Sequence, residues 1–206
     1  MKAIIAEMRR ALSDWQEKNF DAGLLPESEM VKRAEGNNTT IYEMLRNSAL
    51  FDGKAYLKAA NIAVEADPGV LPKLNGYLAH KDSGIRYWGM VGYFNIQDKT
   101  DLDLNRVKSH LNDDSHEVRA LAAWILYNKG QKEIAQKTWN DLLSNSSYAS
   151  LKVTNIIDWI GDGVEPYKDS LVKCNFSHGG YVDRMKENLG VKLPSKGKKK
   201  KKKKKK

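Results

Sequence analysis

Residues 85–93 read Ile85-Arg86-Tyr87-Trp88-Gly89-Met90-Val91-Gly92-Tyr93, and residues 118–126 read Val118-Arg119-Ala120-Leu121-Ala122-Ala123-Trp124-Ile125-Leu126. In each stretch, apolar or small residues fall at relative positions 0, 3, 4, 7 and 8, which form one face of an α-helix. The stretches begin 33 residues apart, and each carries an arginine at its second position. A pattern that recurs at a fixed interval predicts stacked copies of one helical unit.

The segments that precede these two stretches recur at the same interval. Leu71, Leu74 and Leu78 are followed 33 residues later by Leu104, Val107 and Leu111, so the repeated unit is a pair of helices. An upstream set with the same spacing begins 29 residues before the first stretch, which predicts a shorter loop; it comprises Tyr56, Ala59, Ala60, Ala63 and Val64. Downstream, helical spacing persists without the arginine, as expected of a terminal repeat, in Trp139, Leu143, Val153, Ile156, Ile157 and Ile160.

These patterns predict an all-α fold. No central segment alternates apolar and polar residues with a period of two between turn signals, so no β-strand is expected. Residues 51–193 are predicted to form a HEAT-like α-α superhelix, a right-handed stack of helix pairs that closes with short helices near Leu171 and at 181–189. Residues 1–50 are predicted to cap the first repeat with a helix and an ordered loop. Residues 194–206 form a lysine tail, expected to be disordered by charge repulsion.

Four local patterns make finer predictions. Asp114, with Glu117 three residues later, resembles a capping box at a helix start. Gly89 and Gly92 predict the close approach of a neighbouring helix. The apolar residues of the N-terminal helix have helical spacing and are Ile4, Ile5, Met8, Leu12 and Trp15. Tryptophans on or next to apolar helix faces are predicted to lie in the core, namely Trp88, Trp124, Trp139 and Trp159.

The net charge of the chain comes from its end. There are 35 Lys and Arg residues against 26 Asp and Glu residues, a formal charge of +9. Ten of the positive charges are Lys196 and the run 198–206, so residues 1–195 carry about −1. This balance argues against a basic nucleic-acid-binding fold and describes a neutral body with a basic extension. No stretch approaches the length of a membrane span, and residues 1–7 do not resemble a secretory signal.

No pattern of residues points to catalysis, a metal or a cofactor, and none is predicted. His116-Glu117-Val118-Arg119-Ala120 lacks the second histidine of a zinc-protease helix, and His80, His110 and His178 have no histidine at helical spacing. Gly84 and Gly89 are followed by Met90 and Val91, where a phosphate-binding loop needs lysine and Ser or Thr. The single cysteine, Cys174, forms no internal disulfide, and the compartment is not determined.

Arg86 and Arg119 occupy equivalent turns of successive helices. Asp82 precedes Arg86 by four residues, a spacing that places the two side chains on one side of a helix. We predict that Asp82, Arg86 and Arg119 form a structural brace between repeats. The alternative is a ladder of arginines that binds anions.

Four segments in order resemble the C-terminal helical region of certain large bacterial sulfatases. They are Ala11-Leu12-x-x-Trp15, Asp21-x-Gly23-x-Leu25-Pro26-Glu27-Ser28-Glu29, Thr40-Ile41-Tyr42-Glu43-Met44, and Ile85-Arg86-Tyr87-Trp88-Gly89 with its repeat. The resemblance spans roughly residues 5–190. In that family this region follows an α/β catalytic domain with a Cys/Ser-x-Pro-x-Arg nucleophile motif. Here Cys174 is followed by Asn175, Phe176, Ser177 and His178, so no catalytic residue is carried over.

Two functions follow as hypotheses. The first is a non-catalytic interaction or scaffold module that resembles the C-terminal region of a sulfatase, or is a fragment of one, and binds a protein partner; the resemblance implies a sulfatase catalytic domain as that partner. Such a module is cytoplasmic by default, and periplasmic or extracellular if it belongs to an exported sulfatase. The alternative is an independent polyanion-binding protein that acts through its lysine tail by counterion release. The binding residues would then be Lys198, Lys199, Lys200, Lys201, Lys202, Lys203, Lys204, Lys205 and Lys206.

Overall fold

The structure of the chain, a computed structural model, describes residues 2–174 and 181–191. These residues form α-helices and short 3-10 turns without a β-strand, which confirms the all-α prediction. The helices are α1 (Lys2–Lys18), α2 (Glu27–Gly36), α3 (Ile41–Arg46), α4 (Gly53–Val64), α5 (Leu71–Leu78), α6 (Ser83–Ile96), α7 (Leu104–Ser109), α8 (His116–Asn128), α9 (Lys132–Asn145), α10 (Ser150–Ile160), α11 (Lys168–Lys173) and α12 (Tyr181–Asn188). The expected disorder of residues 194–206 lies outside the described residues.

Aspartates start several of these helices. Asp52, Asp82 and Asp103 each precede a helix and accept hydrogen bonds from its first free backbone N–H groups. The capping box predicted at Asp114 and Glu117 is wrong, because the residue before α8 is Ser115 and its side chain caps nothing. A capping box does occur at the start of α3, between Thr40 and Glu43.

The predicted apolar faces build the core. Helix α6 packs between α4 and α8, while α5 covers α6 and α9 covers α8. The face on α8 is fully buried, and so is the face on α4 except for Val64, which is 60% exposed. Leu78 of α5 lies so close to Gly89 that a Cβ atom there would stand 2.9 Å from its Cδ2 atom. Leu74 approaches Gly92 in the same way, so the predicted close helix approach is confirmed.

The tryptophans divide between core and surface. Trp139 is fully buried, and Trp88 and Trp124 are partly buried. Trp159 was predicted to lie in the core but is 80% exposed, so that prediction is wrong. Its neighbour Ile160 belongs to the apolar face of α10, and one residue turns an α-helix by about 100°, which rotates Trp159 away from that face.

Candidate functional site

Arg86 links its own helix to the turn that precedes α8. Its Nε and Nη2 atoms donate to the two carboxylate oxygens of Asp113, each at 2.7 Å. It also donates to the backbone carbonyls of His80 and Lys81, and it pairs with Asp114. Both carboxylate and guanidinium are largely buried, with side chains 5% and 11% exposed for Asp113 and Arg86. A bidentate ion pair of this kind fixes the relative orientation of the two side chains as well as pairing their charges.

The electrostatics of this pair are those of a structural ion pair. Burial by itself would raise the pKa of Asp113, but hydrogen bonds from His110 and Arg86 outweigh it and hold the pKa well below its usual range. The hydrogen bond to Asp113 in turn raises the pKa of Arg86. Both groups are therefore charged at neutral pH.

Arg119 makes the equivalent connection one helix pair later. Its Nε atom donates to the carbonyl of Leu111 at 2.9 Å, and its Nη2 atom donates to Asp141 of α9 at 2.5 Å. Asp141 is more exposed than Asp113, with a side chain 46% accessible. Both arginines thus bind a backbone carbonyl of the turn before their own helix and reach forward to a carboxylate of the next element, but the carboxylate bound by Arg119 is more exposed to solvent.

Asp82 does not pair with Arg86, and that part of the sequence interpretation is wrong. Asp82 precedes α6, and its side chain turns back to accept from the backbone N–H groups of Gly84 and Ile85. Its carboxylate also accepts from both Nη atoms of Arg33, at 3.0 and 3.2 Å, and from the Tyr56 hydroxyl at 2.8 Å. The partner of Asp82 is therefore a residue of α2, 49 positions away in the chain.

The helix α2, here named the strap (Glu27–Gly36), lies across the starts of several other helices. Buried Glu29 accepts from the hydroxyls of Ser83 and Ser115, which stand at the starts of α6 and α8. Lys32 donates to the carbonyl of Asp114 at 2.8 Å. A carboxylate beside helix N-termini is stabilised by the backbone dipoles.

The strap also reaches the start of α10. Its Glu35 accepts a hydrogen bond from the hydroxyl of Tyr148, 113 residues further along the chain. The N-terminal segment was predicted to cap the first repeat. Its strap also connects α6, α8 and the segment before α10.

Helix α1 presents a different surface. The residues of its predicted apolar stripe are between 45% and 68% exposed, namely Ile4, Ile5, Met8, Leu12 and Trp15. Helix α1 contacts the body through α4. On this side of α1, Ser13 and Gln16 are half-buried, and Glu17 forms an ion pair of 3.5 Å with Lys54. The exposed stripe continues toward α4 at Val64, which shares a surface hollow with Leu12. The described residues of the body leave this apolar patch uncovered.

The sequence also raised the questions of a metal site, a membrane span, the single cysteine and the lysine tail. Within residues 2–174 and 181–191, no cluster of three or more His, Cys, Asp or Glu side chains is arranged to hold a metal ion, and no helix is long and apolar enough to cross a membrane. Cys174 is buried at the end of α11. His178 and the predicted polyanion-binding lysines 198–206 lie outside the described residues.

Sequence reasoning missed the strap contacts. Arg33 and Glu29 sit in a mostly polar helix, and their partners in the body are 17 to 86 residues away. No local spacing signals such contacts. The only available sign was that Glu29 belongs to one of the segments quoted for the sulfatase resemblance.

Comparison with known proteins adds no assignment. No protein-family model matches the chain, and no curated protein or solved structure matches it. A function for this chain is therefore inferred from its own geometry.

Proposed function

We propose that this chain is a non-catalytic helical-repeat module that docks onto a protein partner through the apolar stripe of α1. The observation that carries the proposal is the exposure of five large apolar side chains on one helix. Leaving such area in water costs about 25 cal/mol per Å², and contiguous apolar patches of this kind mark interaction surfaces. The stripe gains its stabilisation only when another surface covers it.

The body of the module is proposed to be a HEAT-like superhelix. Three features support this reading: the interval of 33 residues between pairs, the side-by-side packing of α4, α6 and α8, and the forward link that each of Arg86 and Arg119 makes to a carboxylate of the next element. In stacked arrays each unit contacts mainly its neighbours, so such links hold the array together.

The partner that we propose is a sulfatase-type catalytic domain. In the sulfatases that this chain resembles, the helical region follows the catalytic domain. The first helix of the region is then the element nearest the junction, and α1 is the helix whose apolar side is open. Docking of a sulfatase-type catalytic domain on α1 would explain why the apolar stripe is exposed in the isolated chain.

A binding experiment tests the docking function. The probe is a bacterial sulfatase catalytic domain expressed without its own helical region, titrated with the full chain in a calorimeter. We expect saturable binding that weakens at least tenfold, about 1.4 kcal/mol, in the variant Ile5→Gln/Met8→Gln/Leu12→Gln. The matched control changes polar residues of the same helix, Arg10→Gln/Asp14→Asn, and should bind like the unmodified chain. Absence of binding, or equal binding by the stripe variant, would refute the proposal.

The non-catalytic half of the proposal has its own test. A hydrolytic site needs a nucleophile, a base and a charge-stabilising group in one pocket. Cys174 is buried and lacks the sulfatase sequence around it. We expect no turnover of aryl sulfates by the purified chain, even after co-expression with a sulfatase-maturing enzyme. Turnover that disappears in Cys174→Ala would overturn this expectation.

The lysine tail supports a second candidate function, polyanion binding. The supporting observation is that ten lysines stand in residues 196–206 while the rest of the chain is close to neutral. Truncation after Ser195 should abolish retention on heparin at low salt and leave the helical circular dichroism unchanged. Retention of the full chain should fall steeply with salt, by about one counterion for each contacting lysine. Equal retention of the truncated chain would point to a basic face on the body instead.

A further inference from the structure

The spacing of the exposed apolar residues on α1 indicates what kind of surface covers them. Ile5, Met8, Leu12 and Trp15, here named the seam, follow one another at intervals of three, four and three residues. These are the a and d positions of a heptad, the spacing at which one helix packs along another. Each is between 45% and 68% exposed, and Ile4 widens the seam at its start.

The seam is long and narrow. From Ile5 to Trp15 the helix rises about 15 Å, at 1.5 Å for each residue. On the side toward the body, Leu12 and Val64 of α4 line one hollow, so α4 bounds the seam there. A second helix laid along α1 covers a strip of this shape, because a and d residues form a single row on the helix surface.

The flanks of the seam are basic. In the same heptad, Arg9 stands at an e position on one flank and Lys18 at a g position on the other. Both side chains are exposed, and neither forms an ion pair with a residue that the structure describes; the ion pair from α1 to the body is made by Glu17. Charges at e and g positions select the partner of a helix by their sign.

The carboxylates of α1 lie further from the seam. Glu7 and Asp14 stand at the c position of the heptad, and Glu17 stands at the f position. On α4, Glu65 lines the hollow together with Arg9. The charged groups directly beside the seam on α1 are therefore cations.

A second copy of α1 does not suit these flanks. The e and g positions of the helix hold basic or uncharged residues and no acidic residue, with Ile4, Ala11 and Gln16 as the uncharged ones. Two copies of α1, parallel or antiparallel, would give Arg9 and Lys18 no carboxylate across the seam. A helix with acidic flanks provides an opposite charge for both cations.

We infer that the element which covers the stripe of α1 is a single amphipathic α-helix of the partner, with an apolar seam and acidic flanks. This inference rests on the proposed docking function and names the chemistry of the surface that docks. The apolar residues supply the buried area, and Arg9 and Lys18 set the sign of the charge that the partner presents.

An NMR titration of the isotope-labelled full chain tests the inference. The probes are designed three-heptad peptides with leucine at the a and d positions and either glutamate or lysine at the e and g positions. We expect the acidic peptide to shift the signals of the seam saturably and to bind at least tenfold more tightly than the basic peptide. A scrambled acidic peptide, which carries the same charge to the lysine tail without the seam, should leave those signals unchanged.

A reversal of the flank charges makes the test specific. Arg9→Glu/Lys18→Glu should bind the acidic peptide at least tenfold more weakly than the unmodified chain and should prefer the basic peptide. The control Arg10→Glu/Lys137→Glu makes the same change in net charge away from the flanks, at exposed positions, and should bind like the unmodified chain. Unchanged preference in the flank variant would overturn the inference.

Other occupants of the stripe give different results. Seam signals that shift with chain concentration alone would indicate a second copy, and signals that respond to phosphatidylcholine vesicles but to neither peptide would indicate a lipid surface; both results overturn the inference. So does equal binding of the acidic and basic peptides, or no binding of either.

The outcome is separate from that of the calorimetric test. A sulfatase catalytic domain that binds the unmodified chain and the Arg9→Glu/Lys18→Glu variant equally would support docking and overturn the acidic helix. A domain that does not bind, together with an acidic peptide that does, would refute the sulfatase partner and support the acidic helix.

Discussion

Helices α1 and α2 are neighbours in the chain, yet they relate to the body in opposite ways. Helix α1 has the stronger apolar pattern, and its large apolar side chains face water. Helix α2 is mostly polar, and its charged residues Glu29 and Arg33 are held among side chains of the body. An apolar stripe therefore shows which face of a helix can be buried. The position of the helix in the fold depends instead on which residues of the body bind its side chains.

The comparison makes α2 the more important helix for stability. Arg33 pairs with Asp82 and also donates to the carbonyl of Leu50 and the hydroxyl of Tyr56. Arg33→Ala should cost about 3 kcal/mol in the free energy of unfolding, because it leaves a half-buried carboxylate without its cation. Urea unfolding measures this cost, with exposed Lys58→Ala as control. Equal midpoints for the two variants would show that the strap does not brace the body.

Arg86 and Arg119 differ in how deeply their carboxylate partners are buried, so they test whether burial of the acceptor sets the energetic cost of losing an ion pair. Arg86→Ala should lower the free energy of unfolding by about 2 kcal/mol, because buried Asp113 loses its bidentate partner. Arg119→Ala should cost about 1 kcal/mol, because Asp141 is half exposed. Thermal unfolding of both variants is compared with exposed Lys137→Ala. The reverse order would mean that burial of the acceptor does not set the cost.

The ion pair at Asp113 also predicts a dependence on pH. Its pKa is lower in the folded chain than in the unfolded chain, so its contribution to stability is complete above the unfolded pKa of about 3.9. The contribution is lost as the pH falls from there toward the depressed folded pKa. Asp113→Asn should therefore lose less stability than the unmodified chain on acidification. Asp14→Asn on exposed α1 is the control, and parallel pH profiles for all three chains would contradict the prediction.

The smallest effect per substituted residue is expected in α1. The variant Ile5→Gln/Met8→Gln/Leu12→Gln should change the free energy of unfolding by no more than about 0.5 kcal/mol per site, because the side chains are exposed and glutamine is a good helix former. Leu74→Ala, at a fully buried position, should cost about 2–5 kcal/mol in the same assay and shows its sensitivity. A large loss in the α1 variant would mean that the stripe is covered by the body in solution.

Much of the body was predictable because its information is local. The faces at Ile85 and Val118, the close approach at Gly89 and the short helices near Leu171 and Tyr181 all follow from helical spacing within a few turns. The errors lie where one residue has two competing roles. Asp82 was assigned to Arg86 by spacing, but as the residue before α6 it turns toward the helix start and toward Arg33.

The candidate sites were less predictable than the fold. The stripe of α1 was visible in the sequence, but whether it is covered is a property of what packs beside it. The ion pair between Glu117 and Lys152 was not visible at all, because it joins α8 to α10 and Glu117 was assigned to a cap that it does not form.

The sequence by itself determined that the described residues form helices, which faces of α4, α6 and α8 are buried, and that the positive charge is concentrated after residue 195. Helical periodicity and net charge are properties of short segments, so they can be read without knowing the rest of the chain. Only the tertiary structure decided that side chains of α2 bind the starts of α6 and α8 and the segment before α10, that Arg33 pairs with Asp82, and that Glu117 pairs with Lys152. Those contacts join residues 35 to 113 positions apart, and their energies depend on distance and burial in space rather than on separation along the chain.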